Sequence, residues 1–224
     1  MIRASTLILT LALSAWPALS GAAQPDLTGV WTVVGKHSVL KTVSGDLQPM
    51  TPDAKRLYQQ HLDAAARKDR SFDGTTHCLP PGLPRLMLVN KPFEILQRDK
   101  AVYFVHQVNR LPRRAYFGEK LPVDPDPLYQ GYSVARWEGD TLVIETAGFL
   151  EGTLLDDAGL PHSDALHLTE RYRLDSDGKG LHARFTIDDP KTFTHSWDAL
   201  ATYRKLNGYE IPEEVCSDKL AARR

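Results

Sequence analysis

Apolar and polar side chains alternate along most of the chain after residue 92, the pattern of strands with one buried face. In the stretch AVYFVHQV, Val102, Phe104 and His106 fall on one face, and Tyr103 and Val105 on the other. The pattern predicts eight or nine strands, at residues 26–34, 93–98, 101–108, 113–117, 131–137, 141–149, 165–174, 181–189 and 197–206.

One amphipathic helix is predicted before most of these strands. Thr51 supplies a hydroxyl N-cap, and Pro52 suits the first helical position. Apolar residues then recur at helical spacing to about residue 67, namely Ala54, Leu57, Tyr58, Leu62 and Ala65. Residues 70–85, rich in proline and glycine, are predicted to form a rigid surface loop.

The order of these elements predicts a mainly β fold. The strands do not alternate with helices, which argues against a parallel sheet. Closure into an antiparallel up-and-down barrel would remove the exposed edges of so many strands. The Gly29-x-Trp31 of the first strand also looks like the opening of lipocalin-like (calycin) barrels. We therefore expect such a barrel with one N-terminal helix; the alternative is a β-sandwich or an open twisted sheet.

The first 23 residues have the pattern of a cleavable signal peptide. An early cation, Arg3, precedes an apolar run at residues 7–19, and small residues follow at 20–23. The run is shorter than the ~20 residues that a membrane-spanning helix needs. An uncleaved membrane anchor is the alternative. We expect residues 24–224 to form a single domain in the periplasm or outside the cell.

Charge and cysteine content limit the kinds of partner and the cellular compartment that we expect for this protein. The chain has 27 basic and 28 acidic residues, a net charge of −1, which argues against a nucleic-acid partner. A small molecule is the expected partner, with no cofactor and, after signal cleavage, no membrane. Cys78 and Cys216 are the only cysteines, and in an exported protein they predict one disulfide that ties the C-terminal tail to the barrel. Thiol catalysis and metal binding are the alternatives.

Several stretches together resemble a large family of secreted bacterial proteins. They are CLPPGLPR (78–85), PFEILQ (92–97), DPDPLYQGYSVARWEGDTLVIETAGF (124–149), LDDAGLPHSDALHLTERYRLD (155–175), TIDDPKTFT (186–194) and the late Cys216. The resemblance implies a periplasmic or secreted β-rich domain. It does not imply a particular catalytic mechanism. This chain departs from the family at Tyr132, at residues 117–122 and at Leu154, where members carry His, a His-containing stretch and Trp. These departures imply a more apolar pocket with fewer histidines.

Titratable groups are densest in residues 156–173, DDAGLPHSDALHLTERYR. On the strand at its end, Glu170 shares a face with Leu166, Leu168 and Tyr172, and Arg171 lies on the opposite face. At least one of Glu170 and Arg171 is therefore expected to be structural. The predicted catalytic residues are His162, Asp164, His167, Glu170 and Arg171. The predicted substrate-binding residues are Tyr103, His106, Arg113 and Tyr132.

Two classes of function fit these residues. One is an exported enzyme, a lyase, hydratase or hydrolase, in which a His–Asp pair performs acid–base chemistry on a small, partly apolar molecule at the barrel mouth. The other is a non-catalytic, lipocalin-like protein that binds a small hydrophobic ligand. His162, Asp164 and His167 could instead hold a metal, or the polar groups could pair internally as structural elements.

Overall fold

A computed structural model describes residues 24–216 and shows a closed barrel of nine strands. The strands are β1 Gly29–Val33, β2 Phe93–Gln97, β3 Ala101–His106, β4 Pro112–Phe117, β5 Tyr132–Glu138, β6 Thr141–Ala147, β7 His167–Leu174, β8 Gly180–Asp188 and β9 Trp197–Leu206. The predicted barrel is confirmed. The predicted signal peptide, residues 1–23, lies outside the described residues. Within residues 24–216, no helix is long and apolar enough to cross a membrane.

One strand pair departs from the antiparallel expectation. The strands follow one another in sequence order around the barrel, but β4 and β5 run parallel, while the other neighbouring pairs are antiparallel. A closed ring of nine strands cannot alternate direction throughout, because nine is odd. Residues 118–131 therefore cross from one end of the barrel to the other before β5 begins.

The two ends of the barrel differ in the length of their connections. At the hairpin end, short turns at residues 98–100, 139–140 and 175–179 join β2 to β3, β5 to β6 and β7 to β8. At the loop end, residues 34–92, 148–166 and 189–196 form longer connections from β1 to β2, β6 to β7 and β8 to β9, and the five residues 107–111 join β3 to β4. Because long connections offer more side chains than tight turns, a functional site is expected at the loop end or in the barrel interior.

Alternation along the strands fills the interior with large side chains. In β8 every second residue from Leu181 to Ile187 is buried, while the residues between them are more exposed. Aromatic rings meet in the barrel, with the Phe93 and Tyr203 ring centroids 5.2 Å apart and those of Phe104 and Tyr172 5.7 Å apart. Rings of this size contribute much of the apolar area that stabilises the barrel.

The predicted helix is confirmed as α1, Pro52–Ala66. The Thr51 hydroxyl accepts a hydrogen bond from the Ala54 N–H at 3.4 Å, and Pro52 occupies the first turn. Ala54 and Tyr58 are its buried residues. Burial raises the pKa of Tyr58 to about 12, with a contribution from the nearby Asp156 carboxylate.

A buried cap closes the loop end. Residues 81–88 are all buried, so the expectation of a surface loop across residues 70–85 is wrong for its C-terminal part. Leu86 and Met87, in the single helical turn α2 (Arg85–Leu88), belong to the barrel core. Three leucines and a methionine lie within this segment, and apolar side chains this numerous need burial, which outweighs the turn signals of its prolines and glycines.

An ion pair anchors the cap. The Arg85 guanidinium donates two hydrogen bonds of 2.8 Å to the two oxygens of Asp73, and its Nε donates to Asp157 at 2.8 Å. Burial alone would raise the pKa of Asp73. The hydrogen bonds and charge of Arg85, with a further hydrogen bond from Arg70, instead hold that pKa well below its usual range.

The C-terminal segment returns to the loop end and is cross-linked there. Cys78 and Cys216 form the predicted disulfide. On the way, the Tyr209 hydroxyl donates to Gln107 at 3.3 Å, and Glu214 accepts a hydrogen bond from Gln107 at 3.0 Å and forms a salt bridge with Lys91 at 3.1 Å. The disulfide joins residues 138 positions apart, so it greatly restricts the conformational freedom of the unfolded chain.

Replacing Asp73 with Asn should destabilise the cap, because Arg85 would keep its buried charge and lose its main partner. We expect Asp73→Asn to lower the free energy of unfolding by about 3 kcal/mol at neutral pH. Because the pKa of Asp73 is lowered by folding, the loss should shrink as the pH falls below the unfolded value of about 4. Urea unfolding of both proteins across this pH range measures the effect.

Asp53→Asn is the matched control, since Asp53 pairs with Arg56 on an exposed face of α1. This control should unfold like the wild type. Equal stability of Asp73→Asn and Asp53→Asn would show that the Asp73–Arg85 pair does not anchor the cap.

Candidate ligand-binding site

A row of polar side chains crosses four consecutive strands inside the barrel. Arg113 on β4, Ser133 on β5, Thr146 on β6 and Glu170 on β7 are each at most 2% exposed. Each occupies an inward, buried position of its strand. We call these four residues the polar row.

Arg113 is the centre of the polar row. Its Nη1 donates to Glu170 Oε1 at 3.1 Å, and its Nη2 donates to the other carboxylate oxygen. Nη2 also donates to Thr146 Oγ1 at 3.0 Å, and Nε donates to Ser133 Oγ at 3.3 Å. Burial alone would lower the pKa of Arg113, but the charge and hydrogen bonds of Glu170 raise it, so the guanidinium stays charged.

Two tyrosines lie next to the Arg113–Glu170 ion pair, and their hydroxyls differ in hydrogen bonding. The Tyr172 hydroxyl donates to Glu170 Oε1 at 2.6 Å. The Tyr203 hydroxyl is buried and has no hydrogen-bond partner within residues 24–216. Burial raises the pKa of both hydroxyls well above the ordinary value, and the negative charge of Glu170 adds to the shift. Both tyrosines are therefore protonated at neutral pH.

His106 shares this interior and is also unpartnered. It is 1% exposed, and neither ring nitrogen has a hydrogen-bond partner in the described part of the chain. Burial, and then the charge of Arg113, lowers the pKa of His106 to about 3. The ring is therefore neutral at physiological pH. Buried polar atoms usually have partners, so the unpartnered atoms of His106 and Tyr203 set this interior apart from an ordinary core.

A pocket opens onto the polar row where β4 meets β5. The β4–β5 ladder has only three register pairs, from Ala115 with Ser133 to Phe117 with Ala135. The first residues of β4 therefore extend beyond the start of β5. The gap is a pocket of about 350 Å³, which we call the seam pocket. It reaches Arg113 and Ser133, and its other lining side chains include Pro80, Tyr116, Leu128, Tyr129 and Tyr132.

The crossing segment, residues 118–131, forms one wall of the seam pocket and is held by the backbone. The Leu128 N–H donates to the Gly148 carbonyl at 2.9 Å, and the Leu150 N–H donates back to the Leu128 carbonyl at 2.9 Å. Gly131 has a φ of +62°, and a Cβ there would lie 2.7 Å from the Ala147 carbonyl oxygen. This close approach requires glycine and fixes the neighbouring Tyr129 and Tyr132.

The structure brings three of the sequence-predicted site residues together. His106, Arg113 and Glu170 all lie inside the barrel, with Arg113 bonded to Glu170. Tyr132 lines the seam pocket, stacks on Tyr116 with ring centroids 5.9 Å apart, and donates its hydroxyl to Glu119. Tyr103 lies on the outer face of β3, between buried neighbours that point inward.

Two other predicted residues are engaged elsewhere. His162 is buried, with its Nδ1 2.8 Å from the Ser163 carbonyl oxygen and its Nε2 2.6 Å from the Thr153 hydroxyl. Burial lowers the pKa of His162. Asp164 is exposed and accepts a hydrogen bond from Lys191 at 2.5 Å, and this bond lowers the pKa of Asp164.

The remaining predicted residues, His167 and Arg171, lie on the outer face of β7, where Arg171 pairs with Glu138 at 2.5 Å. Glu170 and Arg171 thus point to opposite sides of the wall, as the alternation predicts. The described residues contain no group of three or more His, Cys, Asp or Glu side chains that could hold a metal, so the His162–Asp164–His167 metal hypothesis has no support.

Sequence reasoning missed several members of the site. Ser133 and Thr146 occupy inward positions of predicted strands, so alternation places them inside and could have flagged them as buried polar residues. Tyr172 and Tyr203 also fall at inward positions of predicted strands, and their hydroxyls mark them as buried polar groups that usually need a partner. Tyr129 lies in the proline-rich crossing segment, and no local pattern links that segment to the barrel interior.

A larger depression of about 760 Å³ lies at the hairpin end, with Gln97, Arg98, Phe117, Ala135 and Arg136 among its lining residues. None of the sequence-predicted site residues lines it. The seam pocket is the stronger candidate, because it alone of these two reaches the buried polar row.

No protein-family model matches the chain, and no curated protein is similar to it at a significant level. The resemblance to the secreted bacterial family stays a prediction.

Removal of the hydroxyl should lower the stability of the protein at Tyr172 but not at Tyr203. Tyr172→Phe removes a hydrogen bond to a buried carboxylate and should lower the free energy of unfolding by about 2 kcal/mol. Tyr203→Phe removes a buried hydroxyl without a partner and should leave stability unchanged or raise it. Urea unfolding compares the pair directly. A Tyr203→Phe variant as unstable as Tyr172→Phe would mean that its hydroxyl has a partner in the folded protein.

His106 should make the protein sensitive to mild acid. The unfolded histidine takes up a proton below about pH 6.5, whereas the folded one does not until about pH 3. Stability should therefore fall with decreasing pH in this window, by at most about 1.4 kcal/mol per pH unit from this residue. His106→Phe should lose less stability than the wild type between about pH 7 and about pH 5.

The exposed His195 gives the control, because His195→Phe should retain the wild-type pH profile. Parallel profiles of wild type and His106→Phe in urea unfolding would contradict a neutral, buried His106.

Proposed function

We propose that the protein binds a small, uncharged, partly apolar molecule in the seam pocket at the mouth of the barrel. The observation that carries this proposal is the seam pocket itself, where three tyrosines surround an opening onto Arg113 and Ser133. This is the non-catalytic alternative of the sequence analysis, placed at the seam between β4 and β5.

Size and lining support a small ligand. A volume of about 350 Å³ is in the range of small-molecule sites, roughly 300–1,000 Å³. Tyr116, Tyr129 and Tyr132 offer ring faces and edges that pack well on a planar ring. Leu128, Pro80 and Pro112 add apolar surface, while the amide of Gln130 can orient a ligand.

Charge argues for an uncharged ligand. The positive charge of Arg113 is neutralised by Glu170, and its donors are directed to Glu170, Ser133 and Thr146. Binding an anion at Arg113 would break this network and leave a buried carboxylate unpaired, which costs several kcal/mol. The other cation of the pocket, Arg114, is exposed to solvent.

Binding is favoured over catalysis by the state of the acid–base groups. A general base works best with a pKa near the operating pH, and the pKa of His106 is far below it. His162 is engaged by Thr153 and Ser163, and Asp164 by Lys191. An exported lyase or hydrolase stays a prediction of the sequence. The disulfide supports a periplasmic or extracellular location, since disulfides persist in oxidising compartments.

Binding of p-cresol tests the proposal with a matched pair of variants. Leu128 lines the seam pocket and is 49% exposed, whereas Leu79 is 43% exposed and lies outside it. Leu128→Trp should fill the seam pocket and weaken p-cresol binding at least about tenfold, a loss of about 1.4 kcal/mol. Leu79→Trp should bind p-cresol like the wild type. Titration followed by NMR chemical shifts of residues 128–133 measures both affinities.

Failure of p-cresol to perturb residues 128–133, or equal binding by wild type and Leu128→Trp, would rule out the seam pocket as the site. Chemical conversion of p-cresol that is lost in Glu170→Gln would instead favour the enzyme.

A further inference from the structure

A second pocket lies directly beside the seam pocket. It has a volume of about 320 Å³ and is formed by residues 71–85, Tyr129 and residues 150–154. Pro80 and Tyr129 line both pockets, so these two side chains are the wall between them. We call this cavity the cap pocket, because the buried cap of the loop end forms most of it.

The cap pocket is built on rigid parts of the structure. Asp73 and Arg85, which anchor the cap, both line it. Gly82 lies so close to Thr153 that a Cβ on it would approach the Thr153 hydroxyl to 2.5 Å, which joins the two sides of the pocket. The disulfide at Cys78 holds the segment between the lining residues His77 and Leu79. The pocket is therefore preformed rather than created by a ligand.

The cap pocket suits an uncharged, apolar group. Its buried charges neutralise each other, since Arg85 is bonded to Asp73 and Asp157, and Asp73 also accepts from Arg70. The remaining carboxylate of the lining, Glu151, is exposed at the rim. Apolar side chains make up much of the wall, namely Phe72, Leu79, Pro80, Pro81, Leu150 and Leu154.

We propose that the seam pocket and the cap pocket bind one elongated, uncharged molecule, with a ring-sized apolar group in each pocket and a short linker across Tyr129. This inference rests on the proposed function and specifies its ligand class. Each pocket is large enough for one ring, and both are free of net buried charge. A molecule bound in both pockets gains from the second contact without a second loss of translational freedom.

The test compares p-cresol with its ethylene-linked dimer, in which two p-cresol units are joined through their methyl carbons. We expect the linked dimer to bind the wild type at least about tenfold more tightly than p-cresol. In NMR spectra of the wild type, p-cresol should shift the amides of residues 128–133, and the linked dimer should also shift those of residues 74–77 and 150–154. This measurement needs no variant.

The two leucine variants separate the pockets. Leu79 lines only the cap pocket of the two, so Leu79→Trp should reduce the affinity for the linked dimer to about that for p-cresol. The shifts that p-cresol causes at residues 128–133 of the seam pocket should be the same in Leu79→Trp as in the wild type. Leu128→Trp should weaken binding of both compounds. Thermal unfolding of the free variants confirms that each is folded, which is expected because both leucines are largely exposed.

The outcomes distinguish this inference from the proposed function. If p-cresol binds at the seam and the linked dimer binds no more tightly, the two-pocket inference is wrong and the proposed function stands. If the linked dimer binds but only Leu79→Trp weakens it, the ligand site is the cap pocket and both proposals fail.

Discussion

The buried ion pair between Arg113 and Glu170 is the interaction on which the arrangement of the barrel depends. It joins residues 57 positions apart, and Arg113 is satisfied only when Ser133, Thr146 and Glu170 stand in one row across β5, β6 and β7. A shift in register would leave a buried charge without its partner, at a cost of several kcal/mol. The pair thus disfavours shifted registers of these four strands, including the short β4–β5 ladder.

The β4–β5 seam follows from the closure of a nine-stranded barrel, and the proposed binding site lies at this seam. Because nine strands cannot alternate all around a closed barrel, one pair must be parallel, and the chain must cross the barrel to reach it. The crossing segment, residues 118–131, leaves the first residues of β4 without a full partner strand and places Tyr129 and Tyr132 beside the gap. The polar row therefore borders the seam pocket at one of the two shortest ladders of the barrel.

The residues that anchor the cap also line the proposed cap pocket. Asp73 and Arg85 anchor the buried segment that closes the loop end, and they also line the cap pocket. The barrel interior shows the opposite arrangement, since His106 and Tyr203 are buried without partners in the described residues and contribute polar atoms at a cost to stability. Buried polar groups without partners are found at functional sites, where requirements other than stability select the residues.

Sequence patterns were sufficient to predict the strands, the helix α1, the disulfide and the opposite directions of Glu170 and Arg171. Alternation, capping and the two cysteines are local or pairwise features that a chain carries in any fold. The parallel pairing of β4 with β5, the burial of residues 81–88 and the contact of Arg113 with Glu170 depend on the three-dimensional arrangement of the strands. This arrangement also separates His162 and Asp164, which bond to Thr153 and Lys191, from the interior cluster. The reason is physical: alternation gives the face of a strand on which a side chain lies, but barrel closure and register decide which side chains it meets there.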